Sequence, residues 1–263
     1  MKVRLAQIDC LPGNVDANME KIVEHIRASA GLDLVLFPEL ADTGYHMDLL
    51  REHAGTADWR RIQSAAAEAG LSVACGLSER EDEKIYNSLV VFDAAGDVVH
   101  RYRKTHPATV FQEEDVITPG DRLETFMLGD TACCGAAICF DLRFPELFRH
   151  YSALGVELIL LVSAWPFPRV EHWNTLLRAR AIENQAYVLA VNRAGQDGPT
   201  TFCGLSQVID PSGEVIACAA GDAEACIDAD LDLDLPARVR EQLPVLAARR
   251  TDLFPLNPGH LRG

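Results

Sequence analysis

The chain has 263 residues and a formal net charge of −15 at pH 7, from 39 acidic and 24 basic residues. This balance argues against a nucleic-acid-binding surface, which needs clustered lysines and arginines. No apolar run reaches the roughly 18 residues that cross a bilayer, and no secretory signal opens the sequence, so we expect a cytoplasmic protein that binds neither nucleic acid nor membrane. The acidity suits a well-solvated surface or adaptation to salt, and composition does not separate the two.

Short apolar strands alternate with helical patterns along the chain. A first helix is predicted to follow Asn14, whose side chain is a favourable N-cap. Segment 103–120 is irregular and polar, and a loop of this length is usually functional. We predict an α/β layered fold in one domain, 1–263. Strands are predicted at residues 3–8, 34–37, 71–77, 87–92, 98–102, 132–138, 156–162, 187–191, 202–209, 215–219 and 225–229, and further helices at 58–69, 146–154, 172–183 and 235–243.

Eight cysteines raise the questions of disulfides and metal binding. Most lie in apolar runs, as Cys75 and Cys226 do, and are expected to be small buried core residues. No Cys-x-x-Cys pair and no Cys/His set with zinc-ligand spacing occurs, and cytoplasmic proteins rarely keep disulfides. Only Cys139 has neighbours that indicate chemistry.

Three reactive side chains each follow the end of a predicted strand. They are Glu39, Lys104 and Cys139. Taken singly, Glu39 has a structural explanation as a turn cap, Lys104 as a surface lysine and Cys139 as a core residue. Together they supply a base, a cation and a nucleophile at the strand ends where α/β folds place their ligands. The combination indicates a hydrolase.

Three sequence blocks around these residues resemble a known family. They are Phe37-Pro38-Glu39-Leu40, Tyr102-Arg103-Lys104-Thr105-His106 and Ile138-Cys139-Phe140-Asp141-Leu142-Arg143-Phe144-Pro145-Glu146. In this order they resemble the signature blocks of the nitrilase superfamily of carbon–nitrogen hydrolases, and the similarity continues through Trp165-Pro166 and Val191-Asn192-Arg193. Three blocks in order are a far stronger signal than one motif.

The resemblance implies a four-layer α-β-β-α sandwich that forms homodimers or higher homo-oligomers, and we expect residues 235–263 to pack as a tail at a subunit interface. It also implies a Glu-Lys-Cys triad, here Glu39, Lys104 and Cys139. A second glutamate is typical of the loop after the lysine. Glu113 is assigned to that position, with Glu114 as the adjacent alternative.

The residue types suggest a mechanism that needs no metal or organic cofactor. Cys139 would attack an amide carbonyl as a thiolate favoured by Lys104, with Glu39 as the general base. Lys104 and the backbone N–H of Phe140 are the candidate oxyanion donors. Glu113 would orient the substrate amide or hold Lys104. Tyr45 and Trp165 are candidate substrate-binding walls, with a place in the core as the alternative for each.

The blocks favour the amidase branches of the superfamily. Asp141 occupies a position where nitrilases usually carry Glu, and Leu142 replaces one of two arginines typical of N-carbamoyl-amino-acid hydrolases. We therefore predict hydrolysis of a small primary carboxamide, with N-carbamoyl-amino-acid or nitrile hydrolysis as alternatives. Two other classes stay open, a Cys-His thiol hydrolase using His106 or His172 and a non-catalytic binding protein. Asp141, Arg143 and Glu146 are expected to form a buried ion-pair network behind the nucleophile, with substrate binding as the alternative.

Overall fold

The protein is described by a computed structural model over residues 1–129 and 131–255. The helices are α1 (Val15–Arg27), α2 (Met47–His53), α3 (Arg60–Ala69), α4 (Pro145–Ala153), α5 (Val170–Asn184) and α6 (Leu235–Gln242). The strands are β1 (Lys2–Gln7), β2 (Leu34–Phe37), β3 (Ser72–Glu81), β4 (Lys84–Phe92), β5 (Val98–Arg103), β6 (Phe126–Leu128), β7 (Ala132–Ile138), β8 (Leu158–Ser163), β9 (Tyr187–Asn192), β10 (Gln196–Asp197), β11 (Thr200–Thr201), β12 (Gln207–Ile209), β13 (Val215–Cys218) and β14 (Ala225–Asp230).

Two six-stranded sheets form the centre of the fold. Their strand orders are β14-β1-β2-β3-β4-β5 and β13-β12-β9-β8-β7-β6. The middle of each is parallel, β1 with β2 and β3 in the first and β7 with β8 and β9 in the second, and antiparallel strands form the edges. Strands β2, β8 and β9 are buried throughout, as expected for parallel strands covered on both faces.

The two sheets pack face to face, and helices cover both outer faces. Helices α1 and α3 pack on the first sheet, and α4 and α5 on the second. A central core joins residues from both sheets, such as Leu36 and Leu160. A second core fills the space beneath α1 and α3, with Ile22 and Ile62 facing the sheet. The predicted four-layer α-β-β-α sandwich is confirmed, and one domain for the whole chain stays a prediction.

Several local features differ from the sequence-based expectations. Helix α2 forms where no element was predicted, and the β3–β4 hairpin is longer than predicted, with β3 ending at Glu81 and β4 beginning at Lys84. The predicted strand 202–209 is strand only at Gln207–Ile209, because Gly204 and Leu205 both adopt positive φ, which breaks extended structure. Cys226 is exposed rather than buried, since it lies on the outer face of the edge strand β14.

The remaining expectations concern membranes, disulfides and the tail. No helix within 1–129 and 131–255 is long and apolar enough to cross a membrane. Each of the eight cysteines is a free thiol. Of the predicted tail 235–263, residues 256–263 lie outside the described residues, and the rest comprises α6 and irregular chain to residue 255.

Candidate active site

Glu39 follows β2 and lies fully buried between the two sheets. Its Oε1 accepts hydrogen bonds from Lys104 Nζ at 2.7 Å and from Asn87 Nδ2 at 2.7 Å. Its Oε2 accepts the backbone N–H of Ala164 at 2.8 Å. The backbone passes so close to β3 that a Cβ at Gly76 would lie 2.6 Å from Glu39 Cα, so only glycine fits there. One acceptor position on Oε2 stays open in this set of contacts.

Lys104 follows β5 and is also fully buried. Its Nζ donates to Glu39 Oε1 at 2.7 Å and to Glu113 Oε1 at 2.8 Å. Burial opposes the charge on the amine, but the carboxylates of Glu113 and Glu39 outweigh burial and raise the pKa of Lys104. Lys104 is therefore an ammonium at neutral pH, with a third N–H left for another acceptor.

Glu113 lies in a 3-10 helix of the loop after Lys104, Glu113–Asp115, and has no exposed surface. Besides Lys104, its carboxylate accepts the hydroxyl of Tyr45 and, at 2.8 Å, the backbone N–H of Ala108. Glu114 is exposed. The structure thus brings Glu113, and not Glu114, into contact with Lys104.

Cys139 begins a 3-10 helix, Cys139–Arg143, directly after β7. Its φ of 46° is in the left-handed region, which is uncommon for a residue with a Cβ and recurs at functional sites. Burial raises the pKa of the Cys139 thiol well above its usual range, and the charge of Glu39 adds to this effect. Lys104 and the Ser163 hydroxyl lower this pKa but do not outweigh burial.

Burial and the charge of Glu39 therefore favour the thiol form of Cys139 before attack, and the thiolate expected for the attacking sulfur requires transfer of this proton. Two carboxylates and one ammonium already give the buried cluster an excess negative charge, and a thiolate would add another. Burial also raises the pKa of Glu39, with Lys104 acting against it, which makes Glu39 a better proton acceptor. A proton that leaves the sulfur during attack has a base available.

The three predicted substrate-binding residues lie around this cluster. The Tyr45 ring packs edge-on against Phe111 and Phe202, and its hydroxyl holds Glu113. Phe140 is half-buried, and its backbone N–H is in the first turn of a 3-10 helix, where such groups lack helical partners. Trp165 is buried, and its Nε1–H donates to Arg169 O at 2.9 Å.

The predicted ion-pair network behind the nucleophile is wrong. Asp141 is buried, but its partners are the hydroxyls of Tyr102 and Thr105 and the ring of His106, 2.8 Å from Oδ1. Glu146 is exposed. Neutral donors and a histidine satisfy Asp141 without a buried guanidinium.

Arg143 instead lies beside the aromatic walls. Its guanidinium is 4.5 Å from the Trp165 ring centroid and 5.6 Å from that of Phe140, and it contacts His172 Nδ1 at 3.2 Å. Partial burial lowers the pKa of Arg143, and the nearby Cys139 acts against this. Within the described residues Arg143 forms no salt bridge.

Both histidines have partners other than the thiol. His106 stacks on Phe144 with ring centroids 3.7 Å apart and contacts Asp141, while His172 contacts Arg143. Among the described residues no hydrogen bond joins either ring to Cys139. This arrangement does not favour a Cys-His dyad.

Sequence reasoning missed three groups that contact the cluster. Asn87 and the backbone N–H of Ala164 both donate to Glu39, and the Ser163 hydroxyl acts on the pKa of Cys139. The sequence did carry a signal for Asn87, since Asn87 and Ser88 form a polar pair inside an otherwise apolar predicted strand. Ala164 contributes only through its backbone, so its residue type carries no signal. No group of three or more metal-ligating side chains is found in the described part of the chain.

Comparison with known proteins identifies one family of hydrolases. Residues 2–241 match the model of the carbon-nitrogen hydrolase family. A 2-oxoglutaramate amidase of Bacillus subtilis is 34% identical over 253 residues, which cover 94% of this chain and 97% of that protein. Omega-amidase NIT2 of Xenopus tropicalis is 34% identical over 271 residues, 96% of this chain and 97% of that protein.

The fold has close counterparts among solved structures. A CN-hydrolase superfamily protein from Xanthomonas campestris, which carries an arsenic adduct in its active site, superposes with a TM-score of 0.88. It is 26% identical, and the superposition covers 95% of this chain and 97% of that one.

Proposed function

The chain belongs to the carbon–nitrogen hydrolase family, and we propose that it hydrolyses a small primary carboxamide to the carboxylic acid and ammonia through a thioester on Cys139. One observation carries the proposal, the fully buried Glu39–Lys104–Glu113 cluster whose charges act on the Cys139 thiol. Burying three charged groups is costly, and such clusters are typical of catalytic sites.

Acylation begins with attack of Cys139 Sγ on the amide carbonyl carbon. The thiol proton passes to the open position on Glu39 Oε2 as the C–S bond forms. The third N–H of Lys104 and the backbone N–H of Phe140 donate to the oxyanion, each worth about 3 kcal/mol. The C–N bond then breaks, Glu39 returns the proton to the leaving nitrogen, and ammonia departs.

Deacylation uses the same base. Glu39 accepts a proton from water as the water oxygen attacks the thioester carbonyl, and the C–S bond breaks to release the acid. The proton returns to Cys139 sulfur. Glu113 keeps Lys104 directed at the reacting carbonyl through the 2.8 Å contact, and Tyr45 holds Glu113.

The names of the relatives support a narrower substrate class. One relative is named for 2-oxoglutaramate, which carries a carboxylate besides its amide, and another is named an omega-amidase; we propose that this chain also acts on amides that carry a carboxylate. Arg143, without a carboxylate partner in the described chain and beside Phe140 and Trp165, is the guanidinium available to that group.

The test is ammonia release from short amides with and without a distal carboxylate, alongside N-carbamoyl amino acids and nitriles. The proposal expects turnover of carboxamides, fastest with the carboxylate present, and a mass increase on Cys139 equal to the acyl group. It is wrong if Cys139→Ala hydrolyses amides at the wild-type rate. Turnover confined to carbamoyl compounds or nitriles would support those alternatives, and binding of amides without turnover by the wild type would support a binding protein.

We further propose that the protein is a cytoplasmic homodimer. Eight free thiols, two of them exposed, suit a reducing compartment. The described part of the tail, residues 235–255, exposes apolar side chains that a second copy of the chain would cover, Leu243, Val245, Leu253 and Phe254.

A further inference from the structure

Ser163, the last residue of β8, has a side chain whose environment the mechanism above does not explain. It is fully buried, and its Oγ has no hydrogen-bond partner among residues 1–129 and 131–255. Leaving a buried hydroxyl unpaired costs free energy, so such a group in a folded protein calls for a functional reason.

The sheet register explains where this hydroxyl lies. Strands β7 and β8 are parallel and their last pair is Ile138 with Val162, so Cys139 and Ser163 each directly follow a member of that pair. The backbone of Ser163 is fixed, since its carbonyl accepts the Arg193 N–H at 2.9 Å. The next residue, Ala164, donates its N–H to Glu39 Oε2 at 2.8 Å. The end of β8 therefore adjoins the base and the nucleophile together.

We propose that Ser163 is a positioning residue that donates a hydrogen bond to the Cys139 sulfur when it becomes a thiolate. This inference rests on the proposed role of Cys139. A serine hydroxyl can accept from the resting thiol and donate to the anion, so it can follow the sulfur through both states.

The electrostatics of the site favour such a donor. Burial and the negative charges of Glu39 and Glu113 raise the pKa of Cys139, and the Ser163 hydroxyl acts in the opposite direction. The ammonium of Lys104 is shared between two carboxylates, at 2.7 and 2.8 Å. A neutral donor on the sulfur stabilises the thiolate without adding a charge to the cluster.

The experiment compares Ser163→Thr with Ser163→Val, whose new side chains have the same shape. Ser163→Thr keeps a hydroxyl and Ser163→Val replaces it with a methyl group, so both share any cost of β-branching in the core. Ser163→Ala removes the hydroxyl without added volume. The readout is the rate at which iodoacetamide alkylates Cys139 as a function of pH. It is followed on the Cys139 peptide by mass spectrometry because seven other cysteines are present.

The proposal expects Ser163→Ala and Ser163→Val to alkylate about tenfold more slowly than wild type at pH 7, with the rate rising at higher pH. Ser163→Thr should alkylate faster than Ser163→Val, and kcat should follow the same order with little change in KM. Equal alkylation rates in Ser163→Thr, Ser163→Val and wild type would overturn it. If Cys139→Ala keeps amidase activity, the proposed function fails instead, whatever the alkylation rates show.

Discussion

Lys104 Nζ lies 2.7 Å from Glu39 Oε1, and neither side chain has exposed surface. A buried ion pair repays the desolvation of its charges only when both partners are present and hydrogen-bonded. Here the lysine also neutralises Glu113, so removing it leaves two buried carboxylates without a cation. Catalytic function and stability are coupled at this one side chain.

We expect Lys104→Met to lower the free energy of unfolding by about 3–5 kcal/mol and to abolish amide hydrolysis. Urea denaturation and ammonia release measure the two effects. Lys21→Met is the matched control, because Lys21 pairs with Glu224 at 2.8 Å on the surface and should contribute about 1 kcal/mol or less. Equal stability of the two variants would contradict the role assigned to burial.

Glu113 and Glu114 are adjacent in sequence but differ in burial, and this difference predicts their effects on activity. Glu113→Gln keeps the shape of the side chain but removes a charge from Lys104, and we expect kcat to fall about 10²-fold or more. Glu114→Gln should hydrolyse amides at the wild-type rate. Steady-state kinetics of the two variants distinguish the assignments, and the reverse pattern would assign the second glutamate to Glu114.

The sequence could predict the elements that carry a periodic or motif signal. The buried strand β2 and the N-cap at Asn14 were both predictable, and the Asn14 side chain accepts the Ala17 N–H in the structure. Glu39, Lys104 and Cys139 were found because each follows a strand within a motif. Their approach across two sheets depends on packing, which no local pattern encodes.

The contacts that sequence reasoning missed have physical reasons. Ala164 acts through its backbone, and the role proposed for Ser163 depends on strand pairing, because Ser163 and Cys139 each follow a member of the last β7–β8 pair. Burial of Cys139, which the sequence does not reveal, opposes the thiolate more strongly than the nearby ammonium of Lys104 favours it. Helix α2 was missed because its seven residues bury only Leu50 and carry little periodicity.

The exposed apolar residues of the tail predict its role in assembly. Leu253 and Phe254 are 60% and 72% exposed, a costly state unless another surface covers them. Light scattering should show a dimer for the whole chain and a monomer after truncation at Gln242. Leu253→Ser combined with Phe254→Ser tests the same contact if the truncated chain fails to fold. A monomeric wild type, or a dimer unaffected by both changes, would contradict the predicted interface.

His100 predicts a loss of stability in acid. It stacks on Phe126 with ring centroids 4.3 Å apart, and burial lowers its pKa from 6.5 to about 4. The unfolded chain therefore binds a proton between pH 6.5 and 4 that the folded state excludes, and this group's contribution to stability falls as pH falls through that window. Relative to wild type, His100→Phe should gain about 1.4 kcal/mol per pH unit on acidification from 6.5 to 4. Urea denaturation at several pH values measures the difference, and a pH-independent difference would contradict it.

Burial of Asp42 is expected to make the free energy of unfolding depend on pH in the opposite direction. Burial raises its pKa from 3.8 to about 6, although the Ser78 N–H and hydroxyl donate to the carboxylate and act against burial. The folded state holds a proton that the unfolded chain releases, so the contribution to stability is complete below pH 3.8 and is lost as pH rises through 6. Asp42→Asn cannot ionise, and its free energy of unfolding should rise relative to wild type by about 1.4 kcal/mol per pH unit from pH 4 to 6 and then level off. In Asp42→Asn the side-chain amide can face Ser78 with the wrong group, at a cost in stability that does not depend on pH. Such a cost shifts every value equally and leaves the slope with pH, which is the measured quantity, unchanged. A difference that stays flat or falls over this range would mean that Asp42 is ionised in the folded protein throughout.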